Sequence, residues 1–203
     1  CGYVSPKYYD NKGAGFLKSF TAGFFTTCGL CAVGSPCTDD GEELPLHGTI
    51  SNTPCENIAH WTDEENIHIK AQIRDASIFA HQLILEREYI VSLNENTITL
   101  KDTVKNIGSA ASPIEILYHC NMGYPLLTEN SVIKIPHNSV KARNEHSEKY
   151  IDSSILADTP QPNYEERCYY YDVKETDGIA KVGIYSEDAN IGLVMSYDKA
   201  ELD

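Results

Sequence analysis

Asn66-Ile67-His68-Ile69-Lys70-Ala71-Gln72-Ile73-Arg74 alternates between apolar and polar residues along its central part. In an extended chain successive side chains point to opposite faces, so Ile67, Ile69, Ala71 and Ile73 share one side. Thr97-Ile98-Thr99-Leu100-Lys101-Asp102-Thr103-Val104 repeats the pattern, with Ile98, Leu100 and Val104 together. Between them Leu83-Ile84-Leu85-Glu86-Arg87-Glu88-Tyr89-Ile90-Val91 reads as a longer strand, and Asn94-Glu95-Asn96 supplies a turn. The combination is a meander of antiparallel strands with one wet face.

Working outward, further strands are expected at residues 114–120, 131–135, 167–173, 179–185 and 191–197. Residues 1–45, rich in Gly, Cys, Thr and Pro, suit strands and turns better than helix. No segment holds a 3.6-residue apolar period for three turns, so helices should be few and short. Strands at this spacing imply an all-β fold of two large packed antiparallel sheets. Without a repeat, a linker or a low-complexity tract, residues 1–203 are expected to form a single domain.

The 203 residues are 41% hydrophobic and 23% charged, ordinary values for a globular chain. No apolar run approaches the ~20 residues that span a bilayer, so no membrane is expected as a partner. The first residues lack a signal-peptide pattern. There is no initiator Met, and the chain stops at Ala200-Glu201-Leu202-Asp203 with no closing element, so truncation at both ends is expected. A net charge of −14 with no basic stripe argues against nucleic acid and suits a small uncharged sugar. Seven cysteines, an odd number, favour reduced thiols in a cytoplasmic setting over a disulfide framework. Cys28 and Cys31 have C-x-x-C spacing with Cys37 following and His47 further along, but the ligand set is incomplete and no metal is expected.

Three stretches carry residues suited to chemistry. In Leu44-Pro45-Leu46-His47-Gly48-Thr49-Ile50 the glycine leaves His47 uncrowded and lets a ligand approach the backbone; a surface histidine beside a turn glycine is the plainer reading. In Leu117-Tyr118-His119-Cys120-Asn121-Met122-Gly123-Tyr124-Pro125 alternation puts His119 and Asn121 on one face, Tyr118 and Cys120 on the other. A histidine and an amide can hydrogen-bond sugar hydroxyls while Tyr124 stacks on a pyranose ring; a satisfied core histidine is the alternative. In Tyr164-Glu165-Glu166-Arg167-Cys168-Tyr169-Tyr170-Tyr171-Asp172 a carboxylate pair leads into an aromatic strand and could hold paired hydroxyls. Arg87, flanked by Glu86 and Glu88, is either an ion-pair partner or a further substrate-binding side chain.

Together with Gly15-Phe16-Leu17-Lys18-Ser19-Phe20, Gly23-Phe24-Phe25-Thr26-Thr27-Cys28-Gly29-Leu30 and Gly41-Glu42-Glu43-Leu44-Pro45-Leu46-His47-Gly48, these stretches resemble the aldose 1-epimerase (galactose mutarotase-like) superfamily, in its DUF4432 branch. The resemblance runs from about residue 13 onward and implies a β-supersandwich with an open sugar cleft. It implies that His47 binds the ring-oxygen region, that His119 is the general acid, and that Glu166 binds sugar hydroxyls. Lys18 stands where this branch often carries an arginine. The implied reaction interconverts anomers: an acid protonates the ring oxygen, a base removes the anomeric proton, and the ring opens, rotates and recloses. It needs no metal or nucleotide cofactor. The base in the family is a glutamate in a segment expected beyond Asp203, and no carboxylate of this chain matches it. Two rival readings stand beside this one: another sugar or keto-sugar isomerase or lyase using the same cleft, and a non-catalytic carbohydrate-binding domain.

Overall fold

In the computed structural model, which describes residues 17, 20, 23–39 and 41–202, chain contacts group residues 1–121 and 122–203 into two compact units. The first contains β1 (Phe25–Leu30), β2 (Cys37–Asp39), β3 (Glu42–Leu44), a 3-10 turn at Ile50–Asn52, β4 (Glu56–Thr62), β5 (Asn66–Ala76), β6 (Gln82–Ser92), β7 (Ile98–Asn106) and β8 (Glu115–Cys120). Strands β4 to β7 form a four-stranded antiparallel meander in chain order, β1 pairs with β8, and β2 with β3. The alternating segments thus lie where the period-two pattern predicts.

The two faces of the meander differ in a way the alternation alone does not show. Leu30, Ile50, Leu83 and Leu85 form the buried cluster, with Cys31, Ile73, Val104 and Ile116 packed on it. Each fully buried leucine contributes about 1.5–3 kcal/mol relative to exposure. That core covers one end of the apolar face: Ile67, Ile69 and Ile98 are exposed by 37%, 41% and 68%. On the opposite face His68 lies between Asp63 and Glu88, 2.9 Å from each, under a stacked Trp61. Those two hydrogen bonds raise the His68 pKa.

The second unit holds β9 (Val132–Lys134), β10 (His137–Ala142), α1 (Glu145–Glu148), a 3-10 turn at Ile151–Ser153, β11 (Tyr169–Val173), β12 (Glu175–Thr176), β13 (Ile179–Ser186) and β14 (Ile191–Asp198). β12, β13 and β14 are consecutive in one sheet, β9 adds to β13, and β10 pairs with β11. The Asn144 side chain caps α1 by accepting the Ser147 N–H at 2.8 Å. The described strands pair antiparallel, and the fold is all-β. No described helix is long and apolar enough to cross a membrane. Strands β4 and β10 were not anticipated. β4 carries a register shift between Glu56 and Ala59, with Asn57 at φ 54°, which breaks its alternation.

Gly29 and Gly48 approach each other closely and form an isolated parallel bridge. A Cβ on Gly48 would lie 2.3 Å from the Gly29 carbonyl oxygen and 2.6 Å from that of Ala32, and Gly48 has φ +72°. Gly34 has a similar φ of +81° but open space around it. Gly48→Ala is therefore expected to lose about 2–5 kcal/mol of stability, and Gly34→Ala only about 1–2 kcal/mol. Urea denaturation of both variants checks this, and equal losses would contradict the steric argument.

Candidate functional site

The His-Gly pair is placed by main-chain bonds. Gly29 donates its N–H to the His47 carbonyl at 3.1 Å, Thr49 donates to the Gly29 carbonyl at 3.0 Å, and His47 donates to the Gly34 carbonyl at 2.9 Å. His47 has φ 59°, a left-handed conformation in which histidine is over-represented among non-glycine residues. Gly34 returns a bond to the ring: its N–H donates to His47 Nδ1 at 3.2 Å. A nitrogen that accepts an N–H carries no proton of its own, so the neutral His47 ring bears its proton on Nε2.

His119 comes from β8, opposite Thr26 of β1. Its ring centroid is 5.7 Å from that of His47, at 84°, and 5.4 Å from that of Phe20, also edge-on. His119 Nδ1 is buried and, among the described residues, has no hydrogen-bond partner. It lacks a contact that a hydrogen-bonding group could supply. The structure therefore joins two histidines that lie 72 positions apart (119 − 47) in the sequence.

Arg87 belongs to another network. Its neighbours Glu86 and Glu88 point to the other face of β6, as alternation requires, and bond Lys105 and His68. Arg87 instead makes a bidentate pair with Asp102 across the β6–β7 ladder, at 2.8 and 2.6 Å, and both side chains are buried. Tyr118 donates its hydroxyl to Asp102 at 2.9 Å and stacks on Phe25, over which the guanidinium also lies. Since Tyr118 and His119 are consecutive in β8, this network and His119 occupy opposite faces of that strand.

Of the remaining expected site residues, Asn121 donates its side-chain amide to the Gly23 carbonyl at 2.9 Å, fastening the end of β8 to the start of β1. Lys18 lies outside the described residues. Tyr124 and Glu166 belong to the second unit; Tyr124 is 88% exposed, and Glu166 accepts a bond from Arg143 at 2.6 Å. β11 begins at Tyr169, so Glu166 precedes the strand. Near it, the Arg167 guanidinium lies 3.5 Å from the Tyr150 ring centre, and the Tyr169 and Tyr171 hydroxyls are buried without partners. Sequence reasoning missed Phe20, Gly34 and Asp102. Phe20 and Gly34 act through an aromatic edge and a peptide N–H, and Asp102 looks like one more strand carboxylate.

Comparison with known proteins agrees with this fold. The family described as "Domain of unknown function (DUF4432)" matches residues 1–203. No curated protein matches. A crystal structure of "a putative aldose 1-epimerase from Klebsiella pneumoniae" superposes with a TM-score of 0.84 over 98% of this chain, at 20% identity. The fold is the mutarotase-like β-sandwich of that structure. The chain spans 52% of that protein's length.

Breaking the buried Arg87–Asp102 pair is expected to be costly. Arg87→Ala leaves Asp102 buried and uncompensated and should lose about 3–5 kcal/mol, while Arg87→Met with Asp102→Leu should recover part of the loss. Urea unfolding of the three proteins measures this. A single variant as stable as the parent would leave Arg87 available for a substrate.

Proposed function

This chain belongs to the DUF4432 family, and on that footing we propose that it forms part of an enzyme acting at the anomeric carbon of an aldose, interconverting its anomers by acid–base ring opening. The observation that carries the reading is the buried, unpartnered Nδ1 of His119 beside a perpendicular His47. A sugar oxygen is the kind of group that would complete such a site.

The two rings divide the work by their surroundings. His47, with its proton on Nε2 and Nδ1 engaged by Gly34, is a fixed hydrogen-bond donor to the ring-oxygen region. His119 is the acid: its imidazolium passes a proton to the ring oxygen as the bond from that oxygen to the anomeric carbon breaks. A carboxylate base takes the anomeric hydroxyl proton, giving the open-chain aldehyde; rotation and reversal yield the other anomer. In this reading the base is the glutamate that the family resemblance implies, and no carboxylate of this chain is assigned that role. The partner is a small sugar, with Asn121 as a candidate contact on the same face of the chain as His119, and the setting is cytoplasmic. A histidine suits the acid, since its ordinary pKa of about 6.5 allows both forms near neutrality.

In the complete protein, His119→Ala should lower kcat by about 10²–10⁴-fold, the usual weight of one acid–base group. His47→Ala should weaken binding roughly tenfold, the value of one hydrogen bond, with a smaller loss of kcat. Exchange NMR or optical rotation on a freshly dissolved pure anomer measures both. Unchanged turnover in His119→Ala would remove the assigned acid.

A further inference from the structure

Behind the His47 segment, at the end of the β5–β6 hairpin, lies a second cluster of chemically active side chains. The hairpin register pairs Asp75 with Leu83, and Ser77 donates its N–H to the His81 carbonyl to close the loop. His81, Leu83 and Leu85 are in step, so His81 and Asp75 turn to the same side of the hairpin. Cys31, directly after β1, meets them there. The Cys31 sulfur, an Asp75 oxygen and a His81 nitrogen all lie within 4.8 Å of one another.

From this geometry we propose that Cys31, Asp75 and His81 bind one transition-metal ion of the zinc or cobalt class, with Glu42 orienting His81. His81 Nε2 is 3.3 Å from Asp75 Oδ1. A tetrahedral ion with bonds of about 2.0–2.3 Å holds its ligand atoms about 3.3–3.8 Å apart, so the sulfur needs to move by about 1 Å. The outer contacts also fit. His81 Nδ1 faces Glu42 Oε1 at 3.6 Å, the carboxylate–histidine arrangement that fixes a metal-bound ring. Asp75 is itself held, accepting the Leu30 N–H at 3.2 Å and the Thr49 hydroxyl at 2.9 Å.

Charge points the same way. Among the described residues the ion pairs of Asp75 and Glu42 both run to His81, so one imidazole serves two carboxylates, Asp75 being buried. A cation relieves this repulsion, and its binding displaces the thiol proton, so affinity rises with pH. Three protein ligands leave a fourth position open to water. The donors are not the group that C-x-x-C spacing suggests: Cys28 is fully buried, Cys37 is exposed on β2, and His47 Nδ1 is engaged by Gly34.

The test is titration of the chelator-treated chain with Co²⁺. The expected result is saturation at one equivalent, visible bands of a four-coordinate ion, a thiolate-to-metal absorption in the near-ultraviolet, and proton release. Cys31→Ser should abolish the thiolate absorption, Cys37→Ser should leave it unchanged, and Glu42→Gln should weaken binding by about tenfold or more. Asp75 is left intact because it also holds Leu30 and Thr49; His81→Asn serves as second variant should Cys31→Ser not fold, and should lower affinity by at least as much as Glu42→Gln. Absence of saturable binding, or a thiolate absorption that survives Cys31→Ser, would overturn the site.

Discussion

The contact on which the first unit depends is the approach of Gly48 to Gly29. The backbones can come this close because Gly48 has no side chain: a Cβ on it would sit 2.3 Å from the Gly29 carbonyl oxygen, whereas a Cβ on Gly29 would meet the Glu115 carbonyl oxygen of β8 at 2.3 Å. The bridge ties the His47 segment to β1, and β1 is already paired with the strand that bears His119. The position of one histidine relative to the other therefore rests on backbone bonds, which vary less than side-chain rotamers. Asp75 reinforces the same junction by bonding Leu30 on one side and Thr49 on the other.

A second constraint is how β6 presents its faces. Leu83, Leu85 and Arg87 follow one another on one side, so the buried face passes directly from hydrocarbon to a guanidinium. A buried charge is tolerated only when it is paired and its donors are used. Asp102 meets both needs across the ladder, and Tyr118 takes a further lone pair of that carboxylate from β8. On the other face Glu86 pairs with Lys105 at 2.8 Å near the surface, and Glu88 pairs with the partly buried His68 at 2.9 Å. Among the described residues the acidity is thus mostly a surface property, and the side chains of Asp75 and Asp102 are buried.

Local pattern made part of this legible. β5 and β7 were readable because alternation is a two-residue property that any extended segment with unlike faces must show. β4 was not, because its bulge puts two residues against one and scrambles the period. Arg87 could be read as flanked by glutamates, yet strand neighbours face opposite ways, and its true partner lies fifteen residues along, across the ladder. His47 and His119 were visible singly; their meeting is a tertiary fact, set by the β1–β8 register and the glycine bridge. The Cys31–Asp75–His81 grouping is equally non-local, and a spacing rule drew attention to Cys28 and Cys37 instead.

Two identical side chains can hold different chemical roles when the backbone around them differs. The Gly34 N–H decides the His47 tautomer and keeps one nitrogen occupied, leaving that ring a donor of fixed direction. His119 stands in a regular strand, where main-chain groups are used in the ladder with β1, and its Nδ1 has nothing to bond. Leaving a buried polar atom unmatched costs about 1–3 kcal/mol, and a ligand that supplies the missing contact recovers that amount on binding. A ring oxygen or hydroxyl reaching His119 would do so, whereas an apolar ligand would leave the cost in place. On the proposed reading, a preference of the pair for an oxygen-rich substrate would rest on that difference.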